Sequence, residues 1–204
     1  MEELLNTDFL RTRLRGLPAS GRLAFLLSCA ERLYPNYVEF SRYHGWGDPK
    51  ALQQAIELGW TSLAKEVIPR TEVEECLARV EAVTPSTEDF DSEFVSPALD
   101  AAVCCASVLE FLLTGDLEKI VEGAVLARDT VDMFVQEREK FDAQDPLLES
   151  KITRHPLMQQ ELSRQRTDLD LLSRANWVSS EVVADLARRW RRPAMSNIGL
   201  PRLK

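Results

Sequence analysis

Apolar residues recur at intervals of three and four along almost the whole chain, a spacing typical of amphipathic helices. The first long run covers residues 17–33 and predicts a helix there. Pro35 follows, and the residue before a proline disfavours helical backbone angles. The pattern therefore predicts that this helix ends near Pro35 and that a short separate helix covers residues 37–43.

Capping residues and helix breakers mark most of the remaining boundaries. Asp48-Pro49 places a capping side chain before a proline at the first helical position, and His155-Pro156 marks the start of another helix. Gly115 followed by Asp116 predicts one helix end and an immediate restart, as in an antiparallel helical hairpin. Together these signals predict one further helix that begins at a capping box at residue 71. They also predict helices over residues 49–65, 97–113, 117–139, 156–174 and 180–192, with approximate ends.

The segment 97–113 differs from the others because it is apolar nearly all round. Asp100, Ser107 and Glu110 are its polar interruptions. A helix without a wide polar face is surrounded by other helices. The sequence therefore predicts an all-α fold, a compact multi-helix bundle of about eight helices around this buried central helix, with residues 1–204 forming a single domain. Asp100 and Glu110 argue against a membrane span, since carboxylates at mid-bilayer are costly.

Composition agrees with a soluble globular protein. The 204 residues are 45% hydrophobic and carry a formal net charge of −8. The acidic start at residues 1–5 is unlike a secretory signal, so we expect a cytoplasmic protein. The cysteines lie in apolar helical patterns, which favours buried, reduced thiols; they are Cys29, Cys76, Cys104 and Cys105. The metal-binding spacings Cys-x-x-Cys, His-Glu-x-x-His and Glu-x-x-His do not occur, and neither do glycine-rich phosphate loops, so we expect no metal and no cofactor.

Asp100 is the most informative acidic residue because it lies early in the helix predicted to be buried. A lone buried carboxylate is costly unless it is paired, hydrogen-bonded or protonated. One hypothesis is an acid that lines a pocket and has a perturbed pKa. The other is a structural acid held by a helix N-terminus and neighbouring side chains. Glu31, Arg32 and Tyr34 are the expected partners.

Two further candidates lie in turns. His44 is part of a glycine-hinged turn over residues 43–48 and suits either acid–base or ligand chemistry, or a helix C-cap. Asp91 belongs to an acidic stretch over residues 84–96 that suits either a cation or a solvated connection. Phe90 and Phe94 are predicted to hold that connection against the rest of the protein.

The C-terminal segment, about residues 188–204, is basic. Four arginines flank Trp190, at positions 188, 189, 191 and 192. Such a cluster suits nucleic acid or an acidic partner, or it stabilises a helix C-terminus with Trp190 facing the core. Because the rest of the chain is acidic and would repel a polyanion, we expect no nucleic-acid binding. A contact between the basic segment and the acidic body, within one chain or between two, is the preferred interpretation.

Several segments in the same order resemble the YjaG-like bacterial proteins, the family classed as domain of unknown function four-sixteen. The resemblance rests on Glu31-Arg32-Leu33-Tyr34-Pro35-Asn36-Tyr37, Phe40, Gly45-Trp46-Gly47-Asp48, Asp89-Phe90-Asp91, Pro97-Ala98-Leu99-Asp100-Ala101 and Ser196-Asn197-Ile198-Gly199. It implies a compact all-α cytosolic protein and an association with histidine-kinase signalling, and it supplies no catalytic residues. It also implies that residues 196–199 are docked, where the sequence alone favours a mobile tail.

The residues in these segments define the candidate binding site. We expect the site among Glu31, Arg32, Tyr34, Asn36, His44, Asp91 and Asp100, with no catalytic residue assigned. The first hypothesis is a non-enzymatic interaction or regulatory module that self-associates and binds an unidentified protein. The alternative is a small-molecule-binding protein or enzyme with a polar pocket near Asp100, Glu31 and Arg32.

Overall fold

Helices account for most of the structure, a computed structural model that describes residues 2–64, 67–175, 180–191 and 195–202. A short 3-10 helix, Glu2–Leu5, precedes nine α-helices in these ranges. The α-helices are α1 (Thr7–Arg15), α2 (Ala19–His44), α3 (Pro49–Leu63), α4 (Arg70–Ala82), α5 (Val95–Thr114), α6 (Leu117–Glu139), α7 (Leu148–Arg154), α8 (Pro156–Arg174) and α9 (Ser180–Arg191). The described residues form no strand beyond an isolated bridge between Met195 and Pro201. The prediction of an all-α helical bundle is therefore confirmed.

Predicted boundaries with a capping residue are reproduced closely. Asp48 Oδ1 accepts the Lys50 N–H at 3.0 Å and begins α3. Gly115 adopts a left-handed φ of 70° at the end of α5, and Asp116 Oδ1 accepts the Glu118 N–H at 3.0 Å to begin α6. His155 Nδ1 accepts the Leu157 N–H at the start of α8. The predicted ends at positions 65 and 192 lie outside the described residues.

The predicted break at Pro35 is wrong. Helix α2 continues from Ala19 to His44 and carries Pro35 in its interior. An interior proline costs about 3 kcal/mol because its nitrogen lacks a proton and its ring crowds the preceding turn. The cost is offset by burial, since Leu33, Tyr37 and Phe40 on either side of Pro35 are fully buried. At this point tertiary packing outweighs the local backbone preference.

Two other boundary predictions need correction. Helix α4 begins at Arg70, after Pro69, so Thr71 already lies inside the helix and does not form a capping box. Helix α5 begins at Val95, and Pro97 therefore lies within its first turn, where a missing N–H is tolerated.

Helices α2 and α5 together form the centre of the bundle. Helix α5 packs against α2, α3, α4 and α6. Helix α2 packs against α3, α5, α6, α8 and α9. The predicted central helix is confirmed, and α2 is a second one that the sequence analysis divided in two. Gly123 of α6 permits a close approach to α2, because a Cβ atom there would lie 2.1 Å from Leu26 Cδ1. Both central helices thus depend on close packing as well as on apolar composition.

All four cysteines are buried and free, as predicted. Burial raises the pKa of the Cys29 thiol to about 12, so the thiol stays protonated at neutral pH. Within the described ranges, α5 has the length and composition of a membrane-spanning helix, with a mean hydropathy of 1.6. Because 61% of its apolar 18-residue stretch is buried inside the protein, α5 is a core helix typical of a soluble protein.

Candidate functional site

Four of the predicted site residues lie within six positions of one another in the middle of α2. They are Glu31, Arg32, Tyr34 and Asn36. Successive helical residues point about 100° apart. Glu31 and Arg32 are adjacent but enter two different groups of charged side chains, because Glu31 faces α3 and α9 whereas Arg32 faces α8.

Glu31 is 2% exposed and accepts hydrogen bonds from three side chains. Trp60 Nε1 of α3 and Arg191 Nε of α9 each donate to its Oε1 at 2.9 Å. Arg202 Nη2 donates to its Oε2 at 2.5 Å. Arg191 also lies 2.8 Å from Glu57 Oε1, and its guanidinium covers the Trp60 ring. The Glu31 carboxylate therefore ties α2 to α3, α9 and the C-terminal segment.

Arg32 is 4% exposed and lies between two buried carboxylates of α8. Its Nη1 donates to Asp168 Oδ2 at 2.7 Å, and its Nη2 donates to Glu161 Oε1 at 3.2 Å. Burial alone would lower the pKa of the Arg32 guanidinium, but Glu161 and Asp168 hold that pKa above its ordinary value. Arg32 thus stays charged inside the protein, as the centre of a buried ion-pair group.

A pair of tryptophans joins the two groups. Trp190 Nε1 donates to Asp168 Oδ1 at 2.8 Å, and the Trp190 and Trp60 ring centroids are 5.9 Å apart. Trp190 is 4% exposed, which confirms the interpretation that it faces the core. We call the whole set the Arg32 network; it comprises Glu31, Arg32, Trp60, Glu161, Gln165, Asp168, Trp190, Arg191 and Arg202.

Asn36 holds the C-terminal segment against α2. Its Nδ2 donates to Asn197 Oδ1 at 3.0 Å, while Asn197 Nδ2 donates to the Ala127 carbonyl of α6 at 2.9 Å. The Asn197 backbone N–H donates to the Arg32 carbonyl at 3.3 Å. Pro35 disturbs the backbone hydrogen bonds of this turn, which leaves α2 carbonyls available to partners outside the helix. Ser196 and Asn197 are each 1% exposed, so the segment is docked, as the family resemblance implied.

Tyr34 lines a cleft of about 490 Å³ beside the Arg32 network. The Arg202 guanidinium lies 5.8 Å from the centre of its ring, and burial raises the pKa of its phenol. Glu31, Glu57, Arg191 and Arg202 also line the cleft. Since these four charged groups pair with one another, the cleft offers an incoming ligand few free charges. The contact between the basic segment and the acidic body is formed here within one chain.

Asp100 does not join Glu31 and Arg32. It is half-buried on α5, and its Oδ2 lies 2.7 Å from Thr130 Oγ1 of α6. Burial raises the pKa of the Asp100 carboxyl to about 6. The expected contacts with Glu31, Arg32 and Tyr34 were wrong, because Asp100 faces α6 while those residues face α3, α8 and the C-terminal segment. A single pocket shared by Asp100, Glu31 and Arg32 is absent from the described part of the chain.

His44 and Asp91 lie at the far end of α2, in a surface of aromatic rings and carboxylates. His44 Nε2 is 2.8 Å from Ser92 Oγ, and its ring packs between those of Tyr43 and Phe90 at centroid distances of 5.0 and 4.9 Å. Phe94 contacts Tyr43 at 5.3 Å, and Trp46 contacts Phe90 at 5.1 Å. These contacts confirm that Phe90 and Phe94 hold the acidic connection against the body.

Four exposed carboxylates border these rings along the connection. They are Glu88, Asp89, Asp91 and Glu93, in a stretch from 84 to 96 that contains no lysine or arginine. We call the five rings and four carboxylates the aromatic–acidic surface; it comprises Tyr43, His44, Trp46, Phe90, Phe94, Glu88, Asp89, Asp91 and Glu93. Two of its rings are open to solvent, Tyr43 at 60% exposure and Trp46 at 36%.

Several residues of the Arg32 network were missed by sequence reasoning. Glu161, Gln165 and Asp168 recur at intervals of four and three on α8, directly beside its apolar stripe. That spacing places them on one face of the helix, and Gln165 Nε2 donates to Glu161 Oε1 at 3.0 Å. A polar stripe parallel to an apolar one was the available signal. Trp60 carried no such signal.

Comparison with known proteins places the chain in a family. The family "Protein of unknown function (DUF416)" matches residues 10–201. The chain is 29% identical to the uncharacterized protein YjaG of Escherichia coli K12 and 28% identical to an uncharacterized protein of Haemophilus influenzae, each over 92% of this chain and 94% of the relative. The crystal structure of a DUF416 family protein from Shewanella baltica OS155 superposes with a TM-score of 0.86 at 29% identity, covering 94% of this chain and 98% of that one. The chain therefore belongs to the DUF416 family, whose function is unknown.

Proposed function

We propose that this protein is an interaction module that binds a cationic segment of a partner protein on its aromatic–acidic surface. The single observation that carries the proposal is the grouping of exposed rings with unpaired carboxylates. Tyr43 and Trp46 present their rings to solvent, and no lysine, arginine or histidine of the described chain forms an ion pair with Glu88, Asp89, Asp91 or Glu93. Contiguous exposed aromatic residues on a soluble protein mark interaction sites.

The chemistry of this surface favours arginine or lysine side chains. A guanidinium or ammonium group binds the face of an aromatic ring and a carboxylate at the same time. Elsewhere in the described ranges, exposed apolar residues are scattered over separate elements and need no functional explanation; they are Leu5, Val67, Met133, Leu147 and Met195. The aromatic–acidic surface is thus distinguished by both its rings and its charge.

The state of the polar residues in α2 supports an interaction module over an enzyme. Glu31 and Arg32 are the most deeply buried charged groups among the predicted site residues, and both belong to the Arg32 network. Their charges are paired inside the protein, so the loss of either partner would be costly and the pairs have little capacity to act on a substrate.

A titration with a hepta-arginine peptide, followed by isothermal calorimetry, tests the proposal. We expect saturable binding to the wild-type protein, weakened about tenfold or more by Tyr43→Ser. A quadruple variant of the surface, E88Q/D89N/D91N/E93Q, should weaken binding by a similar factor. The matched control is E72Q/E74Q/E75Q/E81Q, which removes four exposed carboxylates from α4 and changes the net charge by the same amount.

The control separates a specific surface from general attraction to an acidic protein. If the α4 variant loses as much affinity as the surface variant, or if Tyr43→Ser binds like the wild type, the proposal is wrong. Light scattering of the protein alone tests self-association. A dimer that dissociates in Tyr43→Ser would show that a second copy occupies the surface, and would overturn the proposal of a separate partner.

A further inference from the structure

A second cleft, of about 320 Å³, lies between α8 and α9 and reaches Arg32. Ser163, Arg164 and Thr167 line it from α8, and Arg189 and Trp190 line it from α9. Arg32 and Asp168 also reach its wall. Three guanidinium groups therefore surround a space large enough for a small molecule.

The cleft contains hydrogen-bond donors that the protein leaves unused. Arg164 Nη1 and Arg32 Nε are buried from solvent and have no hydrogen-bond partner. Arg189 is exposed and forms no ion pair with any described residue, and the Ser163 hydroxyl has no partner in those ranges either. Buried donors without a partner are rare, because each loses its hydration without a replacement.

The charges around the cleft are not balanced pair by pair. Arg32 is matched by Asp168 and Glu161 at 2.7 and 3.2 Å, whereas Arg164 and Arg189 have no carboxylate within ion-pair distance among the described residues. Burial lowers the pKa of the Arg164 guanidinium, with Glu161 acting in the opposite direction. An anion in the cleft would stabilise the charged form of Arg164 and supply acceptors for its free donor.

We propose that this cleft binds a small phosphate-bearing ligand, with Arg164 and Arg189 contacting the phosphate oxygens and Ser163 donating a further hydrogen bond. Guanidinium groups suit a phosphate because each presents several donors in a fixed plane. Trp190 provides an aromatic wall beside the arginines, against which the organic part of a phosphate monoester would pack. The ligand could be free phosphate or a monoester, and both share this phosphate chemistry.

Calorimetric titration with inorganic phosphate and with ribose 5-phosphate tests the inference. We expect one saturable site for phosphate, weakened about tenfold or more in Arg164→Gln and in Arg189→Gln, since each variant removes a charged hydrogen bond. Arg166→Gln and Arg188→Gln are matched controls that remove the same charge from the same helices. Arg166 is exposed on α8, and Arg188 pairs with Asp185 on α9. Both controls should keep the wild-type affinity.

Several results would overturn the inference. One is the absence of saturable binding to the wild type up to about 10 mM phosphate. Another is a loss of affinity in the control variants as large as that in Arg164→Gln and Arg189→Gln. Far-UV circular dichroism checks that each variant is folded, and because Arg189 is exposed its variant remains informative if Arg164→Gln does not fold. Tighter binding of ribose 5-phosphate than of phosphate would identify a monoester as the ligand, and equal affinities would identify the free anion.

Discussion

The Arg32 network and the aromatic–acidic surface use the same kinds of side chains in opposite ways. In the network, each buried carboxylate accepts hydrogen bonds from arginine, tryptophan or glutamine, and Glu31 and Arg32 are almost fully buried. On the surface, four carboxylates of the 84–96 connection lie beside the end of α2 that carries two open rings, and no cation of the described chain pairs with them. The first region stabilises the protein, and the second is available to a partner.

This difference shows why residue type alone does not identify a functional site. Glu31 and Arg32 are charged residues in an apolar helix, the pattern that points to a buried polar site. The structure places them in a buried group of paired side chains that connects α2 to α3, α8, α9 and the C-terminal segment. Buried ion pairs of this kind perturb pKa values as strongly as catalytic groups do, so function must be argued from which groups still lack a partner.

The largest expected effect comes from breaking the centre of the network. Arg32→Ala leaves Asp168 and Glu161 buried without their cation, and we expect the free energy of unfolding to fall by about 3–5 kcal/mol. Arg11→Ala is the control, because Arg11 makes a comparable two-bond contact with Glu118 at the surface. That variant should lose no more than about 1 kcal/mol. Urea denaturation measures both values, and equal losses would show that burial adds nothing to the Arg32 pairs.

The sequence predicted helix boundaries that depend on local contacts, and it failed where a boundary depends on contacts between residues far apart in the chain. The starts of α3, α6 and α8 were predicted at residues that act locally, since Asp48, Asp116 and His155 each accept from a backbone N–H group two residues away. The continuation of α2 through Pro35 was not predicted, because it depends on packing by helices distant along the chain.

The candidate site shows the same limit. Sequence reasoning named Glu31, Arg32 and Asn36 as candidate site residues without predicting their burial, and in the structure all three are buried. Their partners outside α2 lie from 29 to 171 positions away in the chain, and a single sequence does not show which distant residues meet. His44 and Asp91 were named as separate candidates, and it took the contact of Phe90 with His44 to place them in one surface.

A smaller loss of stability is expected from a substitution in the C-terminal segment, where that segment meets the Arg32 network. Asn197→Ala removes the acceptor of Asn36 Nδ2 and the donor to the Ala127 carbonyl, both buried, and should lower the free energy of unfolding by about 2 kcal/mol. Met195→Ala changes an exposed residue of the same segment and should change stability little. Urea denaturation compares the two, and hydrogen exchange of residues 195–202 should speed up in Asn197→Ala alone. Equal behaviour of the two variants would mean that Asn197 does not hold the segment.

Asp100 is intermediate between the carboxylates of the Arg32 network and those of the aromatic–acidic surface. It is half-buried, has a hydroxyl partner, and pairs with no cation among the described residues. Its ordinary pKa is 3.8, and burial raises the pKa in the folded protein to about 6. Between these values the folded state binds more protons than the unfolded state, so the Asp100 contribution to stability falls as pH rises from about 4 to about 6. Partial exposure screens the charge, so we expect a change of about 1–2 kcal/mol.

Asp100→Asn isolates this contribution because the amide does not titrate and its oxygen still accepts from Thr130. Carboxylates with lowered pKa values, such as Glu118 and Asp170, make stability rise with pH. They are present in both the wild type and Asp100→Asn, so their effect cancels in the comparison. The stability of the variant relative to the wild type should therefore rise from pH 4 to pH 6 and stay constant above that. A difference that does not change with pH would show that Asp100 titrates at its ordinary pKa.

The smallest expected effect on stability belongs to the aromatic–acidic surface, where the expected effect on binding is large. Tyr43 is 60% exposed, so Tyr43→Ser should change the free energy of unfolding by no more than about 0.5 kcal/mol. The same change should weaken hepta-arginine binding about tenfold, because it removes the open ring, whereas Tyr43→Phe keeps the ring and should bind like the wild type. We expect the reverse for Arg32→Ala, measured under conditions where this variant is folded. It should lose much of its stability and bind hepta-arginine like the wild type. If Tyr43→Ser destabilises the protein as much as Asn197→Ala does, the ring is part of the core, and the contrast between a structural network and an interaction surface does not hold.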